Sequence, residues 1–414
     1  MTSASLLFIT QWFSPEPVTV PTWICTALAR RDWEVEVLTA HPNYPSGVVQ
    51  TGHHAGRYVS ETRDGVRVHR APVYPSHDRS AVRRFANYAS WALSASLVAP
   101  WRSRRRGVTL VYSSPATAAL PAMLARVLVG RRYVLQVQDI WPDSVTATGL
   151  VTSRGLMRVL EHGLTWFVAL SYRLAHAVVV ISPGAADLLV KRGVPTHKVH
   201  LVHNWADERA LHPAPQHDRL RRQLGVEDGE VIFMYAGAMG PAQSLETAVE
   251  AIGRAKGRHH LVLLGDGVSR VALQARAATV APARIHFCDP VPLGEVSDTM
   301  AGADAQLVVL ADEPLFAVTM PSKVQGVLAT GSLCVASAPG DAARVVTEAG
   351  GLSARPGDVD DLARAMDQVA ALSEDERAAR RAQAEDYYRT HLSEQTGADR
   401  LSQILCQTLK NQNG

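Results

Sequence analysis

Three short groups of residues have the types and spacing to hold a phosphate. The first is Pro321-Ser322-Lys323, between an apolar run and a helical one. Pro321 suits the first turn of a helix, Ser322 can satisfy an amide left open there, and Gly331 suits a left-handed stop. A helix N-terminus after a parallel strand is an anion site, because open N–H groups and the helix dipole both favour negative charge. Lys323 opposes that dipole. Its placement makes sense beneath a phosphate; the alternative is a solvated surface lysine, and either reading leaves it exposed. The second group, Ala236–Ser244, has Gly237 and Gly240, which would let backbone N–H groups approach a ligand. The third is Gly265-Asp266-Gly267, with Asp266 either a helix cap or a ligand contact. At one end of a sheet, the three loops would converge.

The elements that must position these loops read as parallel strands alternating with helices. Ala305–Leu310 shows no polar alternation, the mark of a strand buried on both faces. Val231–Ala236, His260–Gly265, Arg284–Phe287 and Leu333–Ser337 read as its companions, with helices at Ser244–Arg254, Ser269–Thr279 and Leu293–Ala301. The first half repeats the pattern. Its strands are Leu6–Thr10, Glu34–Thr39, Val66–Arg70, Thr109–Tyr112, Tyr133–Gln138, Ala177–Ile181 and Val199–Val202. Its helices are Trp23–Arg30, Arg83–Ala99 (ended by Pro100), Pro121–Val129, Arg158–Leu174 and Ala185–Lys191. Ala206–Asp218, polar and carrying Pro213 and Pro215, reads as a linker. The expected class is α/β, with two doubly wound Rossmann-like domains facing across a cleft. They span 1–205 and 206–380, and the helices of 381–414 return to the first domain. Ligands are expected at the carboxyl ends of the strands.

A length of 414 residues, 47% apolar and 20% charged, suits a two-domain enzyme. Cys25, Cys288, Cys334 and Cys406 show no metal or disulfide spacing and fit a reducing cytoplasm. Met1–Ser5 leads straight into Leu6–Ile9 with no basic region or cleavage signal, so no secretory peptide is expected, nor is any apolar run long enough to span a membrane. The net charge of +3 conceals an asymmetry. Residues 1–205 hold 22 Lys and Arg against 11 Asp and Glu; residues 206–414 hold 20 against 28. The basic half should face something anionic: a membrane, a phospholipid or nucleic acid.

Several motifs together resemble the GT-B glycosyltransferases of family GT4. They are Tyr235-Ala-Gly-Ala-Met-Gly-Pro-Ala-Gln-Ser-Leu-Glu246, Gly265-Asp-Gly267, Pro321-Ser-Lys323, Val180-Ile-Ser-Pro-Gly184 and His203-Asn-Trp205. Asp139-Ile-Trp-Pro-Asp-Ser144, followed by Gly149-Leu150, resembles the bacterial subgroup that transfers amino sugars and deoxysugars in polysaccharide assembly. The resemblance covers nearly the whole chain. It implies retaining transfer, without a metal or other cofactor, from a nucleotide-sugar donor, usually UDP-linked, held by the C-terminal domain. The acceptor would be held by the N-terminal domain.

The resemblance also implies site residues. Donor contacts fall at Gly237, Gly240, Gln243, Asp266, Gly267, Pro321, Ser322, Lys323 and Asn204, with Lys323 facing the leaving diphosphate. The family's catalytic His falls on Gln138. Asp139 beside it could orient a donor or acceptor hydroxyl, or brace its loop. The first loop, under the donor phosphates in the family, makes Glu16 and Thr19 candidate contacts, and His41 is a similar case. The departures are specific. Ala238 and Gln243 stand for the family's Arg and Lys, and Gly326, beside Gln325, stands for its ribose-binding Glu. Val318 replaces an earlier acid, for which Asp312 or Glu313 could substitute. The leading expectation is transfer to a lipid-linked saccharide in cell-surface polysaccharide or glycoconjugate assembly. The alternatives are a soluble natural-product acceptor, a non-catalytic homologue supporting a partner transferase, or an epimerase of the same architecture.

Arg79–Arg106 holds seven arginines and no acid. Apolar residues recur at helical spacing, as Phe85, Tyr88, Ala92 and Ala95 or as Ala89, Leu93 and Leu97. Basic flanks and aromatics on an apolar helix match an interfacial membrane helix; the alternative is a packed helix with solvated arginines. On the membrane reading Phe85, Trp91, Trp101, Arg102, Arg104, Arg105 and Arg106 make the contact, at the inner face of the cytoplasmic membrane. Nucleic acid is not expected, since no stacking platform accompanies the arginines.

Overall fold

The computed structural model describes residues 4–76, 80–143, 154–227 and 229–413. Arg79, Ser144, Gly149 and Leu150 lie outside them. The chain forms two compact units. Unit 1 is Met1–Ile181, Ala185–Val202 and Ala398–Gly414; unit 2 is Ser182–Gly184 and His203–Gly397. The division therefore falls at Val202, and of the helices expected to return to the first domain only the part from Ala398 onward belongs to it.

Unit 1 holds β1 (Ala4–Ile9), β2 (Trp33–Ala40), β3 (Val59–Arg63), β4 (Val66–Ala71), β5 (Val108–Ser113), β6 (Tyr133–Val137), β7 (Ala177–Val180) and β8 (Val199–Leu201). They form one sheet in the order β3-β4-β2-β1-β5-β6-β7-β8. All neighbours pair parallel except β3, which pairs antiparallel to β4 through a turn at Asp64 and Gly65. Leu6, Leu7, Phe8 and Ile9 are all buried, so both faces of β1 are covered, as a central parallel strand requires.

Unit 2 holds β9 (Val231–Ala236), β10 (His259–Leu264), β11 (Ile285–Cys288), β12 (Ala305–Val309), β13 (Cys334–Ser337) and β14 (Leu352–Ala354). Their order is β11-β10-β9-β12-β13-β14, all parallel. Val231, Phe233 and Tyr235 enter one apolar core while Ile232 and Met234 enter the other, so this sheet too is buried on both faces.

In both sheets the strand order reverses at one place: between β1 and β5 in unit 1, and between β9 and β12 in unit 2. The loops leaving the paired strands there diverge to opposite faces and open a crevice, the usual ligand position in doubly wound sheets.

Two local expectations are corrected. The helix Ala81–Arg104 passes through Pro100 instead of ending there. Proline forfeits one amide bond, and the last turn closes through Arg105 N to Arg102 O (3.0 Å) and Ser103 Oγ to Pro100 O (3.1 Å). In the helix Ser322–Ala329 the capping position is Pro321, and no side chain caps it. Gly331 takes the left-handed conformation expected of it, with φ 62°.

Candidate functional site

The carboxyl ends of β9, β10 and β12 enclose a cavity of about 690 Å³ in unit 2. Gly237, Gln243, Asp266, Pro321, Ser322 and Lys323 all line it. Gly240, Gly267 and the half-buried Asn204 are not in its wall.

Lys323 is half-buried, not exposed as expected, because its stem turns inward along β9. Its Nζ donates to the Ala236 carbonyl and stands 3.8 Å from the centre of the Tyr235 ring. Among the described residues no carboxylate pairs with it. Burial lowers its pKa to about 8. A cation held against a π face and a carbonyl, and short of negative charge, gains most from an arriving anion. Tyr235 itself was not singled out in the sequence, where it reads only as a strand aromatic. Its hydroxyl donates to Ala238 O (2.5 Å) and fixes the ring beneath the ammonium.

The glycines do something different from what was expected. Gly237 N donates to Leu264 O (2.8 Å) and Gly240 N to Gln243 Oε1 (3.0 Å), so neither amide is open to a ligand. Gly237 has φ 136°, and a Cβ there would lie 2.5 Å from Lys323 Nζ. At Gly265, φ 135°, a Cβ would lie 2.1 Å from Gly237 O. These glycines let the loops after β9 and β10 stack on one another and leave room for the lysine.

The second candidate position is the crevice of unit 1. Ser114, just past β5, donates from Oγ to Asp139 Oδ2 (2.6 Å), and burial pushes the Asp139 carboxyl up. Gln138 beside it is half-buried. Trp12, after β1, lies 5.3 Å from Tyr44 and 6.1 Å from Tyr88, ring centre to ring centre. The Tyr88 hydroxyl is pushed up by burial first, then by Tyr44 and Asp139 nearby. Ser114 and the grouping of these rings were not picked out from the sequence, where Tyr88 reads only as part of the helical apolar pattern. Their members come from four separate loops and helices, and only the strand order brings them together.

Glu16, His41 and Thr19 were expected as ligand contacts, and two of them turn inward instead. Glu16 accepts Asn43 N (2.8 Å) and Tyr44 N (2.9 Å) on Oε1 and Phe13 N (3.2 Å) on Oε2. Burial pushes its pKa up to about 7, against the pull of those amides and Arg70. His41 is buried, with Nε2 on Arg57 O (2.7 Å). Both brace loops around the crevice. Thr19 is exposed at the first turn of Thr19–Ala29.

The expected membrane face is also redrawn. Trp91 is 0% exposed and belongs to the core of unit 1. Arg106 is tied to Glu34 (2.8 Å) and Glu36 (2.5 Å). Arg102 donates to the Tyr58 hydroxyl (3.0 Å). The large apolar side chains left open on the helix are Val82, Phe85, Leu93, Leu97 and Trp101, of which Leu93, Leu97 and Trp101, four residues apart, share one face, with Leu97 85% exposed. Arg104 and Arg105 are exposed beside it, and Arg105 lies 4.7 Å from the Trp101 ring centre. Among the described residues no helix is long and apolar enough to cross a membrane.

Known proteins resemble this chain in both halves. Residues 17–205 match the glycosyl transferase 4-like domain, and residues 230–371 match the glycosyl transferases group 1. The probable glycosyltransferase WbjE of Pseudomonas aeruginosa is 27% identical over 275 residues, 66% of this chain and 68% of that protein. The putative colanic acid biosynthesis glycosyl transferase WcaI of Escherichia coli (strain K12) is 28% identical over 315 residues, 75% of this chain and 77% of its own. The structure of Anabaena HepE, solved with UDP and glucose, superposes with a TM-score of 0.66 at 15% identity, over 98% of this chain and 100% of HepE. Both halves of the chain thus match, and the protein belongs to the GT-B glycosyltransferases, with a glycosyl transferase 4-like first half and a group 1 second half.

Proposed function

We propose that this glycosyltransferase moves a sugar from a nucleotide-sugar donor, bound in the unit 2 cavity, to a polyprenyl-linked saccharide bound by unit 1. The transfer retains anomeric configuration, uses no metal and serves cell-surface polysaccharide or glycoconjugate assembly. The observation that carries this reading is Lys323: a desolvated cation with no carboxylate partner among the described residues, at the start of a helix that lines the cavity. A departing diphosphate needs positive charge and N–H donors where its charge develops. HepE, solved with UDP and glucose, and WcaI, the putative colanic acid biosynthesis glycosyl transferase, support the donor class and the pathway type.

In the step itself the bond from the anomeric carbon to the diphosphate oxygen breaks. The acceptor oxygen bonds to that carbon on the same face, and the acceptor proton passes to the leaving phosphate. No enzymic nucleophile is required. Asp139, held by Ser114, orients the acceptor hydroxyl, and the Trp12, Tyr44 and Tyr88 rings offer apolar faces to a pyranose. The open apolar face of Ala81–Arg104, with Arg104 and Arg105 beside it, lays unit 1 on an anionic leaflet, where a lipid-linked acceptor resides.

Incubation with a panel of nucleotide sugars, with and without polyprenyl-diphosphate-linked sugars, tests the reading. A glycosylated lipid is the expected product. Conversion of the donor alone would mark an epimerase; a complete lack of transfer and hydrolysis would mark a non-catalytic homologue.

A further inference from the structure

We infer that unit 2 prefers a nucleoside diphosphate whose pentose lacks the 2′-hydroxyl, so that the donor is a 2′-deoxyribonucleotide sugar. This rests on the nucleotide-sugar reading of the same cavity. With the diphosphate at Lys323, the pentose attached to it comes next along the helix Ser322–Ala329. Three residues on, about 4.5 Å further along the axis, the same helix face presents Gly326.

Gly326 lines the cavity and contributes only backbone. A Cβ there would stand 3.3 Å from Leu211 Cδ1, so the wall at this point is a leucine methyl against a bare helix. Val327, Val291, Val296 and Met300 add apolar surface to the same cavity wall.

Among the described residues no side-chain acceptor of the wall stands at Gly326 itself: the Ser322 hydroxyl lies one helical turn back, at the diphosphate end, and the other polar groups face elsewhere. Asp266, the one acid in the cavity wall among the described residues, accepts Gly267 N on Oδ1 (2.8 Å) and lies 4.0 Å from Arg270. The oxygen of Gln243 accepts Gly240 N. Gln325, next to Gly326, is buried, and its amide, oriented by its surroundings, donates back to Pro321 O (2.7 Å) and Ser322 O (3.2 Å). Asp312 and Glu313 are exposed and lie outside the cavity wall.

A ribose 2′-hydroxyl placed against Leu211 would be stripped of water and given no acceptor, whereas a methylene there packs without loss. The 3′-hydroxyl is common to both sugars and cancels from the comparison. The expected preference for the deoxy form is about tenfold, corresponding to about 1.4 kcal/mol.

Titration calorimetry of the full chain with matched pairs isolates that one oxygen: uridine and 2′-deoxyuridine diphosphate, and guanosine and 2′-deoxyguanosine diphosphate. The deoxy member should bind about tenfold more tightly in whichever pair binds. Gly326→Glu combined with Leu211→Ala, which clears the space, should turn the preference to the ribo member. Equal affinities, or a tighter ribo member, in the unaltered protein overturn the inference and leave the nucleotide reading standing. If neither pair binds, and the matching adenosine, cytidine and thymidine diphosphates do not bind either, the nucleotide reading fails and this inference fails with it.

Discussion

Lys323 Nζ lies 3.8 Å over the Tyr235 ring and donates to the Ala236 carbonyl, so among the described residues only dipoles answer this half-buried cation. That arrangement costs stability and favours an incoming diphosphate. Lys323→Met, which fills the same space without charge, should raise the melting temperature of the apo protein. It should also lower kcat by about two to three orders of magnitude, the loss typical of one preorganised charge stabiliser. Calorimetric melting and initial rates on one preparation check both. A variant that is active and no more stable would remove Lys323 from the mechanism.

The same burial gives a pH signature. Lys323 titrates at about 8 in the folded chain against an ordinary 10.5, so between these values the unfolded chain holds the proton and the folded one has lost it. Stability should therefore rise with pH across that window and be flat in Lys323→Met. Donor kcat/KM should move the opposite way and fall above about pH 8, as the free enzyme loses the charge that attracts diphosphate. Lys323→Arg, which stays charged, should abolish that basic limb whatever its absolute rate.

Asp139 and Ser114 should show themselves through the acceptor. Burial raises the Asp139 pKa and the Ser114 hydrogen bond opposes that rise. Ser114→Ala should therefore move the acid limb of acceptor kcat/KM to higher pH while donor affinity holds. Asp139→Asn should raise the acceptor KM and flatten that limb. An unchanged acid limb in both variants would leave Asp139 as a loop brace.

The sheets were legible in the sequence because strands buried on both faces read as continuous apolar runs, as at Ala305–Val309 and Val231–Ala236. The edge strand Val59–Arg63 was missed because it reads Val-Ser-Glu-Thr-Arg, with a single apolar residue and no buried one. Its Asp64-Gly65 turn, with φ 50° and 79°, was nevertheless a readable hairpin signal. The lining of the unit 2 cavity by Pro321-Ser322-Lys323 follows from one strand-to-helix connection, so local sequence carried it. Tyr235 under Lys323, Leu211 beside Gly326 and Asp139 beside Ser114 are contacts between distant segments, and no local pattern encodes them. Trp91 illustrates the same limit: helical spacing defines faces but not which face the sheet covers.

Glu16 supplies a test of loop bracing apart from chemistry. Its carboxylate holds three backbone amides from the loops after β1 and β2. Glu16→Ala strands those amides and should cost about 3 kcal/mol in denaturant unfolding. Its folded pKa of about 7 stands above the ordinary 4.5, so the folded chain keeps a proton that the unfolded chain has lost. Stability should accordingly decline from pH 4.5 to about 7, and Glu16→Gln should lack that decline.

The surface that can meet a membrane is narrower than the arginine count suggests. Leu93, Leu97 and Trp101 form the open apolar face, and Arg104 and Arg105 supply charge beside it. An arginine near an anionic leaflet contributes about 1 kcal/mol before screening, so these two alone hold the protein weakly and release it in salt. Burying Leu93, Leu97 and Trp101 adds a part that salt does not remove. In liposome flotation at low salt the protein should rise with anionic vesicles and stay down with neutral ones. Arg104→Gln with Arg105→Gln should weaken the association. Leu93→Ser with Leu97→Ser should make what remains fully salt-sensitive. Arg106→Gln and Trp91→Ala serve as contrasts. The first breaks a pairing with Glu34 and Glu36, and the second opens a core cavity at about 3–5 kcal/mol, so both should lower stability without altering vesicle binding of the folded fraction. Failure to float with anionic vesicles at low salt would end the membrane reading and make a soluble acceptor the better account of the arginines.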